Sequence, residues 1–101
     1  MAFKIVWTDK AKLDRKLIFS FWNRHNQSTV YSRKLHHLFN RQIESLPQNP
    51  TLGKLTDYTG IRHLIVRSFY IFYSLRENHI IILRIWDSRQ DPEKVQSLIQ
   101  G

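Results

Sequence analysis

Three arginines in the C-terminal half of this 101-residue chain could together bind phosphate groups. Arg62 lies near the start of one strand-like segment, Arg84 lies among isoleucines near the end of another, and Arg89 follows in a loop. A guanidinium group stays charged at physiological pH and can hold two oxygens of one phosphate. If the three side chains converge at one end of a sheet, they form a phosphate pocket. Each also needs a partner where it is buried, since an unpaired buried guanidinium is costly.

Two further residues could transfer protons beside these arginines. Asp87 could orient one of them, or act as a base if burial raises its pKa. The alternative is that it only pairs with Arg89 or caps a turn. Tyr73 could donate a proton to a leaving oxygen, although its alternation with Phe69 and Ile71 favours a place in the core. The candidate catalytic set is Arg62, Tyr73, Arg84, Asp87 and Arg89.

The candidate nucleic-acid-binding set overlaps the catalytic one. Trp86 ends a strand beside two of the arginines, so it could stack on a base or on a partner's side chain. Packing on the sheet is the competing interpretation. Strand alternation places Arg67 on the opposite face from Arg62. The full set is Lys54, Arg62, Arg67, Arg84, Trp86 and Arg89.

Net charge is the strongest signal in the composition. Sixteen lysines and arginines against eight acidic residues give a formal charge of +8 and a pI near 10.2. Self-repulsion of this size favours a polyanionic partner, which could be a nucleic acid, a ribosome or an acidic protein. The alternative is a well-solvated basic surface with no such partner.

Several classes of function are disfavoured. The chain has no cysteine, which excludes disulfide bonds and thiolate-bound zinc, and its five histidines have no metal-ligand spacing. Glycine-rich phosphate loops and H-E-x-x-H are absent, so we expect neither a metal nor a cofactor. There is no run of eighteen apolar residues, and the opening MAFKIVWTDK does not resemble a signal peptide. We therefore expect a cytoplasmic protein without membrane contact.

The N-terminal half is predicted to contain a strand and two helices. Residues 3–7 (FKIVW) form a β-prone run, and Thr8 or Asp9 can cap a helix over residues 10–24. Ser28 or Thr29 caps a second helix, which ends before the prolines at positions 47 and 50. The expected apolar stripes are Leu13, Leu17, Ile18, Phe21 and Trp22 on the first helix, and Tyr31, Leu35, Leu38, Phe39, Ile43 and Leu46 on the second. Residues 48–59 are predicted to form a loop.

The C-terminal half changes to an extended pattern. Residues 61–67, 69–76 and 79–86 are rich in β-branched and aromatic side chains, with a tight turn at Glu77-Asn78. The Ile80-Ile81-Ile82-Leu83 run suggests a central strand buried on both faces. Asp91-Pro92-Glu93 is typical of the start of a short final helix. The class is α+β: one domain over residues 1–101, with a helical hairpin packed on a four-stranded sheet made of the meander and the N-terminal strand.

Five short motifs carry a family resemblance. They are FKIVWTDKA at residues 3–11, LPQNPTLG at 46–53, GIRHL at 60–64, FYIFY at 69–73 and ILRIWDSRQD at 82–91. In this order the motifs resemble the RelE/ParE superfamily of toxins, the plasmid stabilisation family of bacterial type II toxin–antitoxin systems. The resemblance implies a toxin neutralised by a small antitoxin, which has a DNA-binding N-terminal part and an acidic C-terminal tail that folds upon the toxin.

The resemblance leaves two targets open. Toxins of the RelE branch cleave messenger RNA in the ribosomal decoding site (they are mRNA interferases), whereas ParE-like toxins inhibit DNA gyrase by binding. RelE-like enzymes usually carry an arginine in the third strand and often a histidine near the chain end, but this chain has Tyr70 and Asp87 at those positions. The basic charge and the strand-end arginines favour RNA binding and cleavage. The Y-x-I-F-Y strand and the missing acid–base pair favour the gyrase inhibitor. A third hypothesis is a basic nucleic-acid-binding domain outside toxin–antitoxin systems.

Overall fold

The computed structural model describes residues 3–89 and has the predicted α+β architecture. A hairpin of two helices packs on one face of a five-stranded sheet. The elements are β1 (Lys4–Trp7), α1 (Asp9–Asn26), α2 (Val30–Glu44), β2 (Lys54–Leu55), β3 (Ile61–Val66), β4 (Phe69–Arg76) and β5 (His79–Asp87). The short final helix expected from Asp91 lies outside the described residues. No helix in the described part of the chain is long and apolar enough to cross a membrane.

Thr8 joins the first helix to the sheet. Its hydroxyl oxygen accepts a hydrogen bond from the Ala11 N–H at 3.1 Å, which caps α1 as predicted. The same hydroxyl lies 2.9 Å from the Ile82 carbonyl and 3.0 Å from the Leu83 carbonyl, to which it donates. Because one side chain holds both the helix start and β5, the path of α1 along the sheet is set at its first turn.

The strand order is β1-β5-β4-β3-β2, with β1 parallel to β5 and the other pairs antiparallel. The sheet therefore has five strands, and the prediction of four was wrong. The additional strand, β2, lies in the predicted loop, where Lys54 pairs with His63 and Leu55 with Arg62. A two-residue ladder has no hydrophobic alternation of its own, so its pairing depends on β3 and is invisible in the local pattern.

The strand β5 lies between β1 and β4, as the isoleucine run predicts, but it is fully buried on one face only. Ile80 and Ile82 are inaccessible to solvent beneath the helices, whereas Ile81 and Leu83 are half-buried. The turn before β5 forms as expected, although Glu77 and not Asn78 takes the left-handed conformation.

The apolar stripe of α2 is confirmed and that of α1 is largely wrong. Four residues of the predicted stripe are buried: Leu35, Phe39 and Ile43 on α2, and Leu46 just after its end. Of the five residues predicted on α1, Ile18 and Trp22 pack against the core, while Leu13, Leu17 and Phe21 are 55%, 56% and 49% exposed. Ala11 and Phe19, which the prediction left out, also contact the core. Helical periodicity identifies apolar side chains on one side of a helix, but it does not tell whether the chain's own core covers them.

Candidate functional site

The guanidinium of Arg84 is bound by a carboxylate of the first helix. Asp14 accepts hydrogen bonds from Nε of Arg84 at 2.7 Å and from Nη2 at 2.9 Å. Its Oδ2 also accepts the backbone N–H of Ile85 at 3.0 Å. Both side chains of the ion pair are mostly buried, and the hydrogen bonds that Arg84 donates to Asp14 raise the pKa of Arg84. The partner that Arg84 requires is thus Asp14, which the sequence analysis did not single out.

The position of Asp14 follows from the shortness of β1. That strand pairs with β5 only from His79 to Ile82, so the rest of β5 has no strand neighbour on this side. A β-bulge lies just beyond, since Phe72 pairs with Arg84 and Tyr73 with Ile82, which leaves Leu83 between them without a partner. Here α1 covers the edge of β5 in place of a strand. The Asp14 carboxylate accepts a hydrogen bond from the Ile85 N–H, which the sheet leaves without a partner.

Asp87 forms the second ion pair, with Arg89. The Arg89 guanidinium approaches to 2.6 Å and also lies over the ring of Trp22, with 5.2 Å between its Cζ and the ring centroid. The hydrogen bond from Arg89 lowers the pKa of Asp87. The pair is compatible both with Asp87 orienting Arg89 and with a plain ion pair that caps the turn through the Arg89 N–H. The condition for a general base, a pKa raised by burial, is not met.

These two ion pairs border a groove of about 650 Å³ between α1 and β5, which we call the α1–β5 groove. Its apolar wall includes Leu17, Phe21 and Trp22, and Trp86 also lines it. Trp86 is only 8% exposed and pairs with Tyr70 across the sheet, which supports its packing interpretation. The groove thus combines an uncovered apolar helix face with arginines along its border.

Tyr73 and Arg62 lie elsewhere, against the loop that precedes β2. The Tyr73 hydroxyl donates to the Pro50 carbonyl at 2.9 Å and accepts the Gly53 N–H at 2.8 Å. Burial raises the pKa of this fully buried phenol. Nη1 of Arg62 donates to the Gly53 carbonyl at 2.8 Å and reaches the Thr51 carbonyl at 3.4 Å. Both side chains hold the loop, and the core position expected for Tyr73 is confirmed.

The condition for a three-arginine phosphate pocket, convergence at one end of the sheet, is therefore not met. Arg62 pairs with Tyr73 in β4, whereas Asp87 pairs with Phe69 at the other end of that strand. Arg84 and Arg89 share the α1–β5 groove, and Arg62 does not line it. The remaining candidates are also dispersed, because Lys54 is exposed on β2 and Arg67 is exposed in the turn between β3 and β4.

Sequence reasoning also missed an aromatic cluster around Tyr70. The ring centroids of His63 and Tyr70 lie 5.2 Å apart, and that of Phe72 lies 6.1 Å from His63 and 6.2 Å from Tyr70. Burial, and then the charge of Lys54, lower the pKa of His63. Among residues 3–89 no group of three or more potential ligands could hold a metal ion. The tyrosine at the position where RelE-like enzymes carry arginine is thus part of a ring cluster on the sheet.

Two solved structures share this fold. The fold is similar to that of the chromosomal ParDE system from P. aeruginosa, with a TM-score of 0.74, 23% sequence identity, and coverage of 83% of this chain and 94% of that one. It is also similar to a free-state double mutant of the E. coli toxin RelE, with a TM-score of 0.65, 11% identity, and coverage of 99% and 96%. No curated protein matches the sequence.

The family model for the ParE toxin of the parDE type II toxin–antitoxin system matches residues 5–92. The chain therefore belongs to the ParE toxin family, which confirms the resemblance found in its motifs. Membership implies an antitoxin partner. It also removes the hypothesis of a nucleic-acid-binding domain unrelated to toxins.

Proposed function

We propose that this toxin acts by binding its target, DNA gyrase, and not by cleaving RNA. The observation that carries the proposal is that all five candidate catalytic side chains are bound to other groups of the protein, although the Arg89 side chain is 56% exposed. Arg84 is held by Asp14, Arg89 and Asp87 hold each other, and Arg62 and Tyr73 bind the loop before β2. This arrangement favours the alternative over the mRNA interferase that the charge of the sequence suggested.

The chemistry of RNA cleavage explains why this arrangement matters. Attack of a 2′-hydroxyl on phosphorus needs a base, an acid for the leaving oxygen, and cations free to bind the phosphorane. The carboxylate of Asp87 is a weak base because the bond from Arg89 lowers its pKa. The Tyr73 hydroxyl already donates a hydrogen bond to the Pro50 carbonyl, and the Tyr73 side chain is fully buried. A binding toxin requires none of these groups to be free.

Family membership supports the same target. A ParE-like resemblance implies gyrase inhibition, and the family model that matches nearly the whole described chain is that of ParE. The likeness to RelE, at 11% identity, supports the fold alone. Family membership is thus the second support for the proposal that gyrase is the target.

The antitoxin tail is proposed to occupy the α1–β5 groove. Leu13, Leu17 and Phe21 recur at intervals of four residues and expose a continuous apolar strip along α1. A partner helix with matching apolar residues would cover this strip, and its acidic residues would approach Arg89. Because a disordered tail folds only as it binds, the free antitoxin would stay open to proteolysis.

The target is tested with the purified protein in two assays run in parallel. We expect loss of plasmid supercoiling by gyrase, while the 5′ ends of messages on translating ribosomes stay unchanged. New cuts in register with the reading frame, together with intact gyrase activity, would establish the ribonuclease and overturn the proposal.

The docking surface is tested with Leu17→Asn/Phe21→Asn, measured for antitoxin binding by calorimetry. Both side chains are about half exposed, so the free toxin should keep its fold while it binds the antitoxin at least about tenfold more weakly. Leu55→Asn is the control, since Leu55 is 67% exposed on β2 and does not line the groove. Equal binding by the groove variant and the control would place the antitoxin elsewhere.

A further inference from the structure

A second groove runs between the two helices, away from every residue discussed so far as a candidate site. Its volume is about 720 Å³, and its cationic side chains are Lys12, Arg15, Lys16 and Arg33. We call it the α1–α2 groove. None of the described residues that line it is acidic, and Phe19 is the one apolar residue among them. The groove therefore concentrates positive charge that its own walls do not neutralise.

The rest of the described chain does not neutralise that charge either. Within residues 3–89 the ion pairs are Arg84 with Asp14 and Arg89 with Asp87, and neither includes a cation of this groove. The Arg15 guanidinium lies 4.2 Å from the centre of the Trp7 ring. Such a contact positions a cation and leaves its charge intact.

The spacing of the cations adds a physical cost that a ligand would relieve. Lys12, Arg15 and Lys16 are three and four residues apart, so they are neighbours on one face of α1 and repel one another. Arg33 faces them from α2, where its Nε donates to the Thr29 carbonyl at 3.4 Å. An anionic strand along the groove would meet all four charges at once.

The other lining groups suit a sugar–phosphate backbone. Ser20 and Thr29 contribute hydroxyl groups, and Ser32 donates to the side chain of Asn23 across the two helices. His36 is exposed beside this groove and contacts Phe19 edge to face at 5.7 Å between ring centroids. Hydroxyls, amides and cations supply most contacts to phosphate and sugar, and an exposed ring can stack on a base.

We propose that the α1–α2 groove binds the phosphate backbone of a nucleic acid, RNA or DNA. An acidic peptide is the less suitable occupant, because a folding tail needs apolar anchors, and those of α1 lie on its other side. Lys12 and Phe21 are nine residues apart, which is about two and a half turns at 3.6 residues per turn. They therefore lie on opposite sides of the helix, and the two grooves can be occupied independently. The proposal does not depend on which target the toxin inhibits.

The test is the salt dependence of binding by the full-length protein. Fluorescence anisotropy is measured with a single-stranded RNA and with a duplex DNA, each of twelve nucleotides or base pairs. Lys12→Gln/Lys16→Gln removes two cations of the groove. Lys4→Gln/Lys34→Gln is the control of equal net charge, since these two exposed lysines do not line the groove.

The expected difference follows from counterion release. Each lost phosphate contact lowers the slope of log K against log salt by about 0.7 for a single strand and about 0.9 for a duplex. The groove variant should thus lose about 1.4 or 1.8 from the slope, while the control keeps the wild-type value. When the salt concentration rises from 50 to 200 mM, both proteins lose affinity. The factor lost by the wild type should be about seven times that lost by the groove variant on RNA, and about twelve times on DNA.

Three outcomes decide the proposal. A reduced slope on RNA, on duplex DNA or on both supports it and identifies the ligand. Equal slopes for the groove variant and the control overturn it. Unchanged nucleic-acid binding with lost affinity for a poly-glutamate peptide also overturns it, in favour of an acidic protein segment. If circular dichroism shows the double variant to be unfolded, Arg33→Gln replaces it, with an expected loss of about 0.7 on RNA.

Discussion

Replacing Asp14 by alanine should cost this toxin a large share of its stability. One carboxylate accepts hydrogen bonds from Nε and Nη2 of Arg84 and from the backbone N–H of Ile85. Asp14→Ala leaves a mostly buried guanidinium without a counter-ion and an edge N–H without an acceptor. In Arg84→Ala the carboxylate keeps its bond from Ile85, so this variant should be the milder of the two.

The magnitude depends on how far the pair is buried. The side chains of Arg84 and Asp14 are 18% and 13% exposed, which places them closer to buried pairs than to surface pairs. Removing one partner of a buried pair costs about 3–5 kcal/mol, and residual exposure brings our expectation to about 3 kcal/mol for Asp14→Ala. For a domain of this size the melting temperature should fall by about 10–20 °C. We expect about 2 kcal/mol for Arg84→Ala.

A double-mutant cycle measured by urea denaturation isolates the interaction itself. The two single variants, the double variant and the wild type should give a coupling energy of about 2 kcal/mol, because the double variant leaves no unpaired charge. The coupling should persist in high salt, which screens buried pairs weakly. A coupling below about 0.5 kcal/mol, typical of exposed pairs, would refute the assignment of Asp14 as the group that fixes Arg84.

Three further predictions concern residues near the β2 edge of the sheet. Tyr73→Phe deprives the Pro50 carbonyl and the Gly53 N–H of their partner, and urea denaturation should show a loss of about 1–3 kcal/mol. Gly53→Ala would place a Cβ 2.6 Å from Cε1 of Tyr73 and 2.8 Å from the His63 carbonyl oxygen, so the melting temperature should fall, by an amount equivalent to about 1–3 kcal/mol. An unchanged melting temperature would contradict this close packing. The pKa of His63 is lowered in the folded state by burial and by Lys54, so the unfolded chain binds the proton more readily. Stability should therefore fall as the pH drops below about 6.5, and His63→Gln should show a smaller fall between pH 7 and 5.

Local chemistry was sufficient to predict most of the fold. Thr8 marks the start of α1, because its side chain accepts a hydrogen bond from a free N–H of the first turn. Proline marks the end of α2, because it has no N–H to donate within a helix. The three meander strands follow from β-branched and aromatic runs interrupted by turns. Each of these signals lies within a few residues of the element that it predicts.

The site was harder to predict because its determinants lie far apart in the chain. Arg84 was recognised as a residue in need of a partner, but its partner is 70 positions away. A lone acid among Lys12, Arg15 and Lys16 does signal an ion pair, yet nothing local says with which cation. In the same way, β2 forms because β3 offers it an edge, and Leu17 is exposed although its spacing is typical of a core position.

The length of β1 links the fold to the proposed mode of action. Because β1 ends opposite Ile82, the remaining part of β5 is an edge, and a free edge must be covered or satisfied. The first helix covers it, and Asp14 satisfies the Ile85 N–H and at the same time neutralises Arg84. The contact that stabilises this edge of the sheet thus also engages the Arg84 guanidinium. On the same helix, Leu17 and Phe21 are about half exposed along the α1–β5 groove, which is where we propose that the antitoxin tail binds. Under the proposed function, Arg84 acts as a structural residue, and the exposed face of α1 is the surface offered to a partner.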